Sequence, residues 1–344
     1  MYRKSERHQM GLWHQDWEEY GESLQLALGG AGVTDSNAEE TEELTAIQYV
    51  QLMRDTLAAT TFELDDHAVD TTIEGVPCRV IKPQGEIKGV YLHFHGGGMV
   101  AGAAFMGDVE NRHIANTFNL AVISVDYRLA PEHPFPAALD DSYSVSKWVV
   151  NNAWKKFGTR SIIIGGESAG AYLALMTLIE ARDSFDVNEV QQFIGANLTF
   201  GVFDWGGTPS QLGSRPSSGD FDVLSPEIID FFTSQYLPDK SIQDRRSPKI
   251  SPMYANLSEL PDALFCVGTA DHLLDDTLFM ANRWKAAGND CELIVYPRVP
   301  HAFTMFPSHF VELFSTQRDS GLREFSLNKL TRRRSNFREA FYIA

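Results

Sequence analysis

Residues 161–170 read Ser-Ile-Ile-Ile-Gly-Gly-Glu-Ser-Ala-Gly, and a helical run, Ala-Tyr-Leu-Ala-Leu-Met, follows at 171–176. An apolar run that passes through G-x-S-x-G into a helical run predicts a sharp strand-to-helix turn with Ser168 at its tip. Small residues beside the serine let the two arms of such a turn approach each other. The helix amino terminus then favours negative charge that develops beside Ser168. The stretch predicts a nucleophilic serine. The competing interpretation is a plain turn that exposes a serine.

Short apolar runs alternate with helical stretches on both sides of this turn. The runs cover 90–95, 121–126, 161–164, 193–200, 263–267 and 291–296, and the helical stretches cover 108–118, 137–151, 169–182 and 276–287. Strands that are apolar throughout and alternate with helices are typical of a parallel sheet covered on both faces. Residues 68–74 and 77–82 flank Gly75 and predict a hairpin that leads into that sheet. We therefore predict an α/β fold with a mostly parallel central sheet flanked by helices.

Three consecutive glycines, Gly96, Gly97 and Gly98, follow the first of these predicted core strands. Consecutive glycines cost conformational entropy, so the pattern indicates a requirement of the backbone. Peptide N–H groups without side chains can approach a ligand oxygen, and such donors stabilise the oxyanion of acyl transfer. We predict that the N–H groups of Gly97, Gly98 and Ala169 are these donors. The alternative is a phosphate-binding loop, but the glycine spacing does not fit one.

A serine nucleophile needs a base within hydrogen-bond reach, and that base needs an acid that fixes its tautomer. Asp271 and His301 each come after an apolar run and a turn, in the order acid then histidine. Both therefore lie at carboxyl ends of predicted strands, on the same sheet edge as Ser168. Asp275 and Asp276 are alternatives to Asp271, although they suit the first turn of a helix.

Several motifs together resemble the hormone-sensitive-lipase-like family of bacterial and animal esterases. They are the glycine loop at 95–98, the stretch Asp-Tyr-Arg-Leu-Ala-Pro-Glu-His-Pro-Phe-Pro-Ala at 126–137, the turn at 166–170, the acid loop at 271–275 and the histidine loop at 301–303. The resemblance implies an α/β-hydrolase fold with a helical cap and hydrolysis of carboxylic esters, often with short acyl chains. It also implies the catalytic triad Ser168, Asp271 and His301. We predict no metal and no organic cofactor.

Glu167 stands where many members of this family have Asp. The sequence leaves two interpretations open, because Glu167 can hydrogen-bond a neighbouring loop or tune the site electrostatically. Together with His95 and Gly96, it is predicted to shape the loops around the serine. No role is predicted for His93.

Five segments are predicted along the chain. They are an N-terminal helical cap segment (1–60), the first part of the core (61–201), a cap or lid insertion (202–250), the second part of the core (251–315) and a C-terminal tail (316–344). The insertion is too long for an ordinary loop in a compact domain, which is typical of a lid. Aromatic residues in it are predicted to line a substrate pocket, with plain core packing as the alternative: Phe203, Trp205, Phe221 and Phe231.

The two ends of the chain are less informative. Apolar residues at three- and four-residue spacing between Leu44 and Leu57 predict a helix with one stripe facing the core. Ser36 and Glu39 are predicted to form the capping box at its start. The tail is predicted to be a solvated helix or frayed terminus, and packing against another subunit is the alternative.

Composition excludes several classes of function. The chain has 344 residues and a formal net charge of −17. This charge is spread along the chain and repels phosphates, so no nucleic-acid partner is expected. No apolar run approaches the roughly 20 residues that cross a bilayer, so no membrane partner is expected. The amino terminus lacks the apolar region of a signal peptide. Three cysteines fit no metal motif, and we predict a cytoplasmic protein.

The predicted function is a serine carboxylesterase that acts on a small acyl ester of short to medium chain length. An amidase, a deacetylase or a non-catalytic ligand-binding protein on the same fold are the alternatives. A homodimer is a further prediction.

Overall fold

The computed structural model describes residues 45–60, 62–213, 224–305, 309–327 and 342–343. The described strands are β1 (Val69–Ile73), β2 (Val76–Ile81), β3 (Gly89–Phe94), β4 (Leu120–Val125), β5 (Ile162–Glu167), β6 (Phe193–Thr199), β7 (Ala263–Gly268), β8 (Cys291–Tyr296) and β9 (Tyr342–Ile343). The described α-helices are α1 (Ala46–Ala59), α2 (Asp108–Phe118), α3 (Ala137–Phe157), α4 (Ala169–Ser184), α5 (Val187–Val190), α6 (Pro209–Leu212), α7 (Pro226–Tyr236), α8 (Ile242–Arg245), α9 (Leu274–Ala286) and α10 (His309–Leu327).

All the described strands belong to one mixed sheet, in the order β1-β2-β4-β3-β5-β6-β7-β8-β9. The hairpin β1–β2 and the pair β2–β4 are antiparallel, and every other pair is parallel. The predicted fold class is confirmed. Because the carboxyl ends of parallel strands meet at one edge, the loops after β3, β5, β7 and β8 lie together there.

Helices cover both faces of the sheet because its central strands are apolar throughout. The buried apolar side chains of α3, α4 and α9 belong to one hydrophobic cluster, and those of α2 and α10 belong to a second. Successive side chains of a strand point to opposite faces, so Leu92 of β3 packs in the first cluster and Tyr91 in the second. The cysteines Cys78 and Cys266 are free and buried in these two clusters.

The start of the N-terminal helix differs from the prediction. The structure describes α1 from Ala46, with Thr45 as its N-cap and Gln48 completing a capping box. The predicted cap at Ser36 and Glu39 lies outside the described residues and does not begin this helix. The stripe also faces the core only in part, because Val50 is buried whereas Ile47 is 71% exposed.

The helix α10 runs without a break from His309 to Leu327, across the segment boundary predicted at residue 315. This helix continues past the boundary since Phe314, Leu322 and Phe325 bury one side of it in the second hydrophobic cluster. Within the predicted tail, β9 pairs in parallel with β8 and extends the sheet by one short strand.

Candidate active site

Ser168 occupies the tip of the turn between β5 and α4. Its backbone is left-handed, with φ 56° and ψ −118°, a conformation that non-glycine residues adopt rarely and at a cost. The motif requires glycine at two positions because strand β3 lies so close to the turn. A Cβ on Gly166 or on Gly170 would collide with the carbonyl oxygen of Phe94. The turn is therefore compressed against the end of β3, where the glycine loop begins.

Three side chains from distant parts of the chain form one hydrogen-bonded line. His301 Nε2 lies 2.9 Å from Ser168 Oγ, and His301 Nδ1 lies 2.8 Å from Asp271 Oδ2. Asp271 is completely buried and His301 is nearly so. The second oxygen of Asp271 accepts a bond of 2.7 Å from the Leu273 N–H, which holds the carboxylate in place.

The acid loop and the histidine loop are bonded to each other. The N–H of Thr269 donates to Tyr296 O (2.8 Å) and that of Ala270 donates to Val299 O (3.1 Å). The Arg298 N–H donates to the Thr269 hydroxyl at 2.7 Å. These bonds connect two neighbouring strand ends, so Asp271 and His301 are placed by backbone geometry.

Phe200 supports the imidazole from the side and was missed by sequence reasoning. Its ring centroid lies 4.9 Å from that of His301, edge to face, and the ring also packs against Phe303. Phe200 has a φ of 36°, which is strained for an aromatic residue. Nothing in the sequence marks this strain, since Phe200 simply ends an apolar run.

The glycine loop lies directly beside the serine. A Cβ on Gly96 would stand 3.5 Å from Ser168 Cβ. Gly97 and Gly98 have φ values of 119° and 62°, which L side chains disfavour. Within the described part of the chain, no protein oxygen accepts a hydrogen bond from the N–H of Gly97, Gly98 or Ala169. These N–H groups are the predicted oxyanion donors.

His95 holds the glycine loop from behind. Its ring stacks on Tyr127 with centroids 4.3 Å apart, and its Nδ1 lies 2.8 Å from Gly96 O. The Tyr127 hydroxyl donates to His95 O at 2.7 Å. Burial lowers the pKa of His95 to about 4, so the ring is neutral at pH 7.

Glu167 hydrogen-bonds a ring on a neighbouring strand, with its Oε2 3.0 Å from Nε2 of His93. The other ring nitrogen of His93 lies 2.8 Å from Ser124 Oγ. Glu167 therefore makes a hydrogen bond, as the first interpretation expects, but its partner lies in strand β3 and not in a loop.

The predicted pocket residues are dispersed. Phe203 is fully buried against Phe265, and Trp205 packs on Tyr172 and Tyr236. Phe231 contacts Tyr49 of α1. Phe221 lies outside the described residues.

Phe232, which sequence reasoning missed, meets the glycine loop at Gly98. A Cβ on Gly98 would collide with its ring. Only its place next to Phe231 in the sequence could have suggested it. The contact brings α7 of the insertion onto the residue predicted to supply an oxyanion donor.

The two carboxylates weighed against Asp271 anchor the insertion. Asp276 is completely buried and accepts hydrogen bonds from the N–H groups of Phe203 and Asp204 (2.7 and 2.8 Å). The Thr208 hydroxyl and the Gln211 amide donate to its other oxygen, both at 2.7 Å. Burial raises the pKa of Asp276 to about 7, although these four donors act against that shift.

The neighbouring carboxylate bonds the same segment. Asp275 accepts from the Ser210 N–H at 2.8 Å. The first turn of α9, which directly follows the acid loop, thereby fixes residues 203–211. In the described ranges, no group of three His, Cys, Asp or Glu side chains is arranged to hold a metal ion.

Comparison with known proteins agrees with this geometry. The model of a family with the α/β-hydrolase fold matches residues 91–305. Carboxylesterase NlhH of Mycobacterium tuberculosis is 36% identical over 225 residues, which cover 63% of this chain and 67% of that enzyme. The acetyl esterase of Salmonella typhi is 27% identical over 77% of this chain and 80% of its own length.

Solved structures give the same assignment. The crystal structure of an esterase from the bacterial hormone-sensitive lipase family superposes with a TM-score of 0.72 at 26% identity, covering 92% of this chain and 99% of that one. The chain therefore belongs to the α/β-hydrolase family, and within it to the carboxylic ester hydrolases that resemble hormone-sensitive lipase. Among the described residues, no helix combines the length and apolar character needed to span a membrane.

Proposed function

We propose that the protein is a serine carboxylesterase that hydrolyses small acyl esters of short to medium chain length through an acyl-enzyme intermediate. One observation carries the proposal: Ser168 Oγ, the His301 ring and the Asp271 carboxylate form a continuous hydrogen-bonded line next to the glycine loop, whose Gly97 and Gly98 N–H groups, like that of Ala169, donate to no protein oxygen among the described residues. In the proposed roles, Ser168 is the nucleophile, His301 the base and Asp271 the acid.

Acylation follows from these positions. His301 Nε2 accepts the Ser168 proton as the serine oxygen attacks the ester carbonyl. Asp271 holds the imidazole in the tautomer that leaves Nε2 free to accept, and it stabilises the imidazolium that forms. The N–H groups of Gly97, Gly98 and Ala169 receive the oxyanion, and His301 then protonates the departing alcohol. Water activated by the same histidine hydrolyses the acyl-enzyme.

Two observations support a short or medium acyl chain. Phe232 lies on Gly98 beside the serine, and Trp205, Tyr172 and Tyr236 form a fully packed aromatic group in the insertion and α4. Bulky, packed rings on the glycine loop and in α4 and the insertion limit the space available to a long acyl group. The similarity to an acetyl esterase points the same way.

The first experiment replaces the nucleophile. Ser168→Ala should reduce hydrolysis of p-nitrophenyl acetate by a factor on the order of 10⁶, because the residues of a triad act as a unit. Ser184→Ala is the matched control, since this serine lies at the far end of α4, where its hydroxyl donates to Glu180. A fluorophosphonate should label the wild type at Ser168. Hydrolysis by Ser168→Ala at the wild-type rate would overturn the proposal.

The substrate class is tested with two series on the wild type. Across p-nitrophenyl esters from acetate to palmitate, kcat/KM should be highest for short and medium chains and fall for long ones. Against p-nitroanilides with the same acyl groups, the esters should be faster. Equal or faster cleavage of the amides would favour an amidase, and no turnover with no labelling would favour a ligand-binding protein. The homodimer and the cytoplasmic location stay predictions.

A further inference from the structure

We propose that His93 and Glu167 are positioning residues that hold the serine turn in register with the glycine loop. Glu167 immediately precedes Ser168, and His93 lies two residues before the glycine loop begins at His95. Their side chains meet at 3.0 Å across the pair β3–β5. This inference rests on the proposed function, since it concerns the placement of the proposed nucleophile relative to the proposed oxyanion donors.

The partners of the His93 ring define its tautomer. The Asn111 amide nitrogen can only donate, and it lies 3.3 Å from His93 Nδ1, with Ser124 Oγ at 2.8 Å from the same atom. Nδ1 therefore accepts, and Nε2–H donates to Glu167 Oε2. Both ring nitrogens are occupied by protein groups, so His93 orients Glu167 and does not take part in proton transfer with substrate.

Burial makes the pair rigid. The His93 side chain is 5% exposed and that of Glu167 is 29% exposed. A Cβ on Gly107, just before α2, would stand 3.2 Å from the His93 ring, so that segment closes over it. A buried imidazole held on both nitrogens gives Glu167 one preferred position.

The length of the side chain explains why Glu stands at this position. Each side chain spans from one parallel strand to the next, where His93 faces Gly165 in register. Aspartate is shorter by one methylene group and cannot reach Nε2 without moving the backbone that carries Ser168. The main chain is already close, because a Cβ on Gly96 would stand 3.1 Å from Glu167 O.

Four single variants test the pair. Glu167→Asp keeps the charge and loses the reach, whereas Glu167→Gln keeps the reach and an acceptor oxygen and loses the charge. His93→Phe keeps an aromatic ring beside Tyr91 and loses both hydrogen bonds. The matched control is His113→Phe, which breaks another histidine–carboxylate pair, with Asp319 at 2.8 Å, on the surface of α2.

Positioning predicts a defined pattern of kinetics with p-nitrophenyl acetate. Glu167→Asp and His93→Phe should lower kcat by about 10- to 100-fold with little change in KM, since small misplacements of reacting groups have effects of this order. Glu167→Gln should lose only about 3-fold, and His113→Phe should match the wild type. The double variant Glu167→Asp/His93→Phe should be no worse than either single variant, because both remove the same contact.

Other outcomes would overturn the proposal. If Glu167→Asp and His93→Phe lower only the melting temperature and keep wild-type kcat at 25 °C, the pair is merely structural. If Glu167→Gln loses as much as Glu167→Asp, the charge of Glu167 acts on the site and the hydrogen bond does not. If His93→Phe fails to fold, the comparison of kcat between Glu167→Asp and Glu167→Gln is sufficient to decide. Absence of fluorophosphonate labelling at Ser168 in the wild type would instead contradict the proposed function itself.

Discussion

The floor of the site and its roof are held by different kinds of contact. The floor consists of the strand-end loops at 95–98, 166–170, 268–271 and 297–301. Backbone hydrogen bonds between neighbouring strands join the loops at 268–271 and 297–301. The roof consists of α1 and the described part of the insertion at 202–250. Side chains hold the roof in place. Arg54 of α1 donates to backbone carbonyls of the floor side, Asp276 accepts hydrogen bonds from the start of the insertion, and Phe232 contacts the glycine loop.

This difference teaches where precision and adaptability lie in the molecule. Backbone bonds between parallel strands leave little freedom, so the floor places the serine, imidazole and carboxylate within hydrogen-bond distance of one another. Side-chain contacts can be exchanged without moving a strand, so the roof is the part in which substrate preference can change. We expect substitutions in the floor to reduce turnover and substitutions in the roof to change stability or selectivity.

Among the substitutions that test this division, the largest effect is expected at Gly98, where floor and roof touch. Gly98→Ala should lower kcat/KM for p-nitrophenyl acetate by a factor on the order of 10²–10³, the effect of losing one oxyanion donor. Two causes act together, because Gly98 has a φ of 62° and an added methyl group would meet the Phe232 ring.

A second substitution separates these causes. Gly98→Ala/Phe232→Ala should recover part of the lost activity, because the collision is removed and only the backbone strain remains. The matched control is Gly98→Ala/Phe231→Ala, since Phe231 packs on Tyr49. This double variant should recover none of the activity that Gly98→Ala loses. Wild-type activity in Gly98→Ala alone would show that floor and roof are not coupled at this contact.

The same division separates what could be predicted from sequence from what could not. The strand β8 was predicted from Cys291 to Tyr296 as observed, because an apolar run between turns is a local signal. The cap of α1 was misplaced because Thr45 with Gln48 and Ser36 with Glu39 are equally good local patterns. A local pattern of this kind cannot say which of two such boxes begins a given helix.

Within the site, the sequence predicts the reacting residues at the strand ends but not the residues that hold them in position. The serine motif and the positions of Asp271 and His301 after apolar runs predict that the three residues meet at one sheet edge, and their side chains form one hydrogen-bonded line. His93 and Phe200 were given no role, because their contacts depend on which strands are neighbours and on a strained φ. Neither property has a signature in one sequence.

A smaller effect is expected when the pH is lowered, through His95 of the floor. The pKa of His95 is lowered by burial to about 4 from an ordinary 6.5. The unfolded chain therefore binds a proton at a pH where the folded protein does not. The stability associated with neutral His95 is complete above about pH 6.5 and is lost as the pH falls toward 4. Between pH 7.5 and 5 the loss is about 2 kcal/mol.

Urea unfolding of the wild type and of His95→Gln at both pH values measures this effect. The stability advantage of the wild type should shrink by about 2 kcal/mol on going from pH 7.5 to 5, because glutamine does not titrate. His133→Gln, the same substitution at an exposed histidine, is the matched control. An advantage that stays constant with pH would mean that His95 is protonated in the folded protein.

The smallest effect is expected in the roof, at Arg54. Its guanidinium donates to Val100 O and Ala130 O, both at 2.9 Å, and pairs with Glu132 at 2.8 Å. Val100 and Ala130 lie in loops behind the glycines, so Arg54 docks α1 on the floor without touching the reacting groups. Arg54→Ala should lower the hydrogen-exchange protection of α1 by about 10-fold, the equivalent of about 1.4 kcal/mol and close to one charge-assisted hydrogen bond. It should change kcat for p-nitrophenyl acetate by less than about 3-fold.

Glu132→Gln is the control that assigns this effect to the carbonyl contacts. Glu132 is about half exposed, and exposed ion pairs contribute little, so the variant should keep most of the protection of α1. If both variants lose protection equally, the ion pair holds α1 and the carbonyl bonds do not. If Arg54→Ala instead lowers kcat as far as Gly98→Ala does, the division fails, because a roof contact would then be setting the geometry of the floor. The two backbone oxygens that Arg54 contacts belong to residues with backbone hydrogen bonds of their own, because the Val100 N–H donates to Gly97 O at 3.0 Å and the Ala130 N–H donates to Met99 O at 2.8 Å. Removing the Arg54 side chain therefore frees the helix and leaves these loops in place.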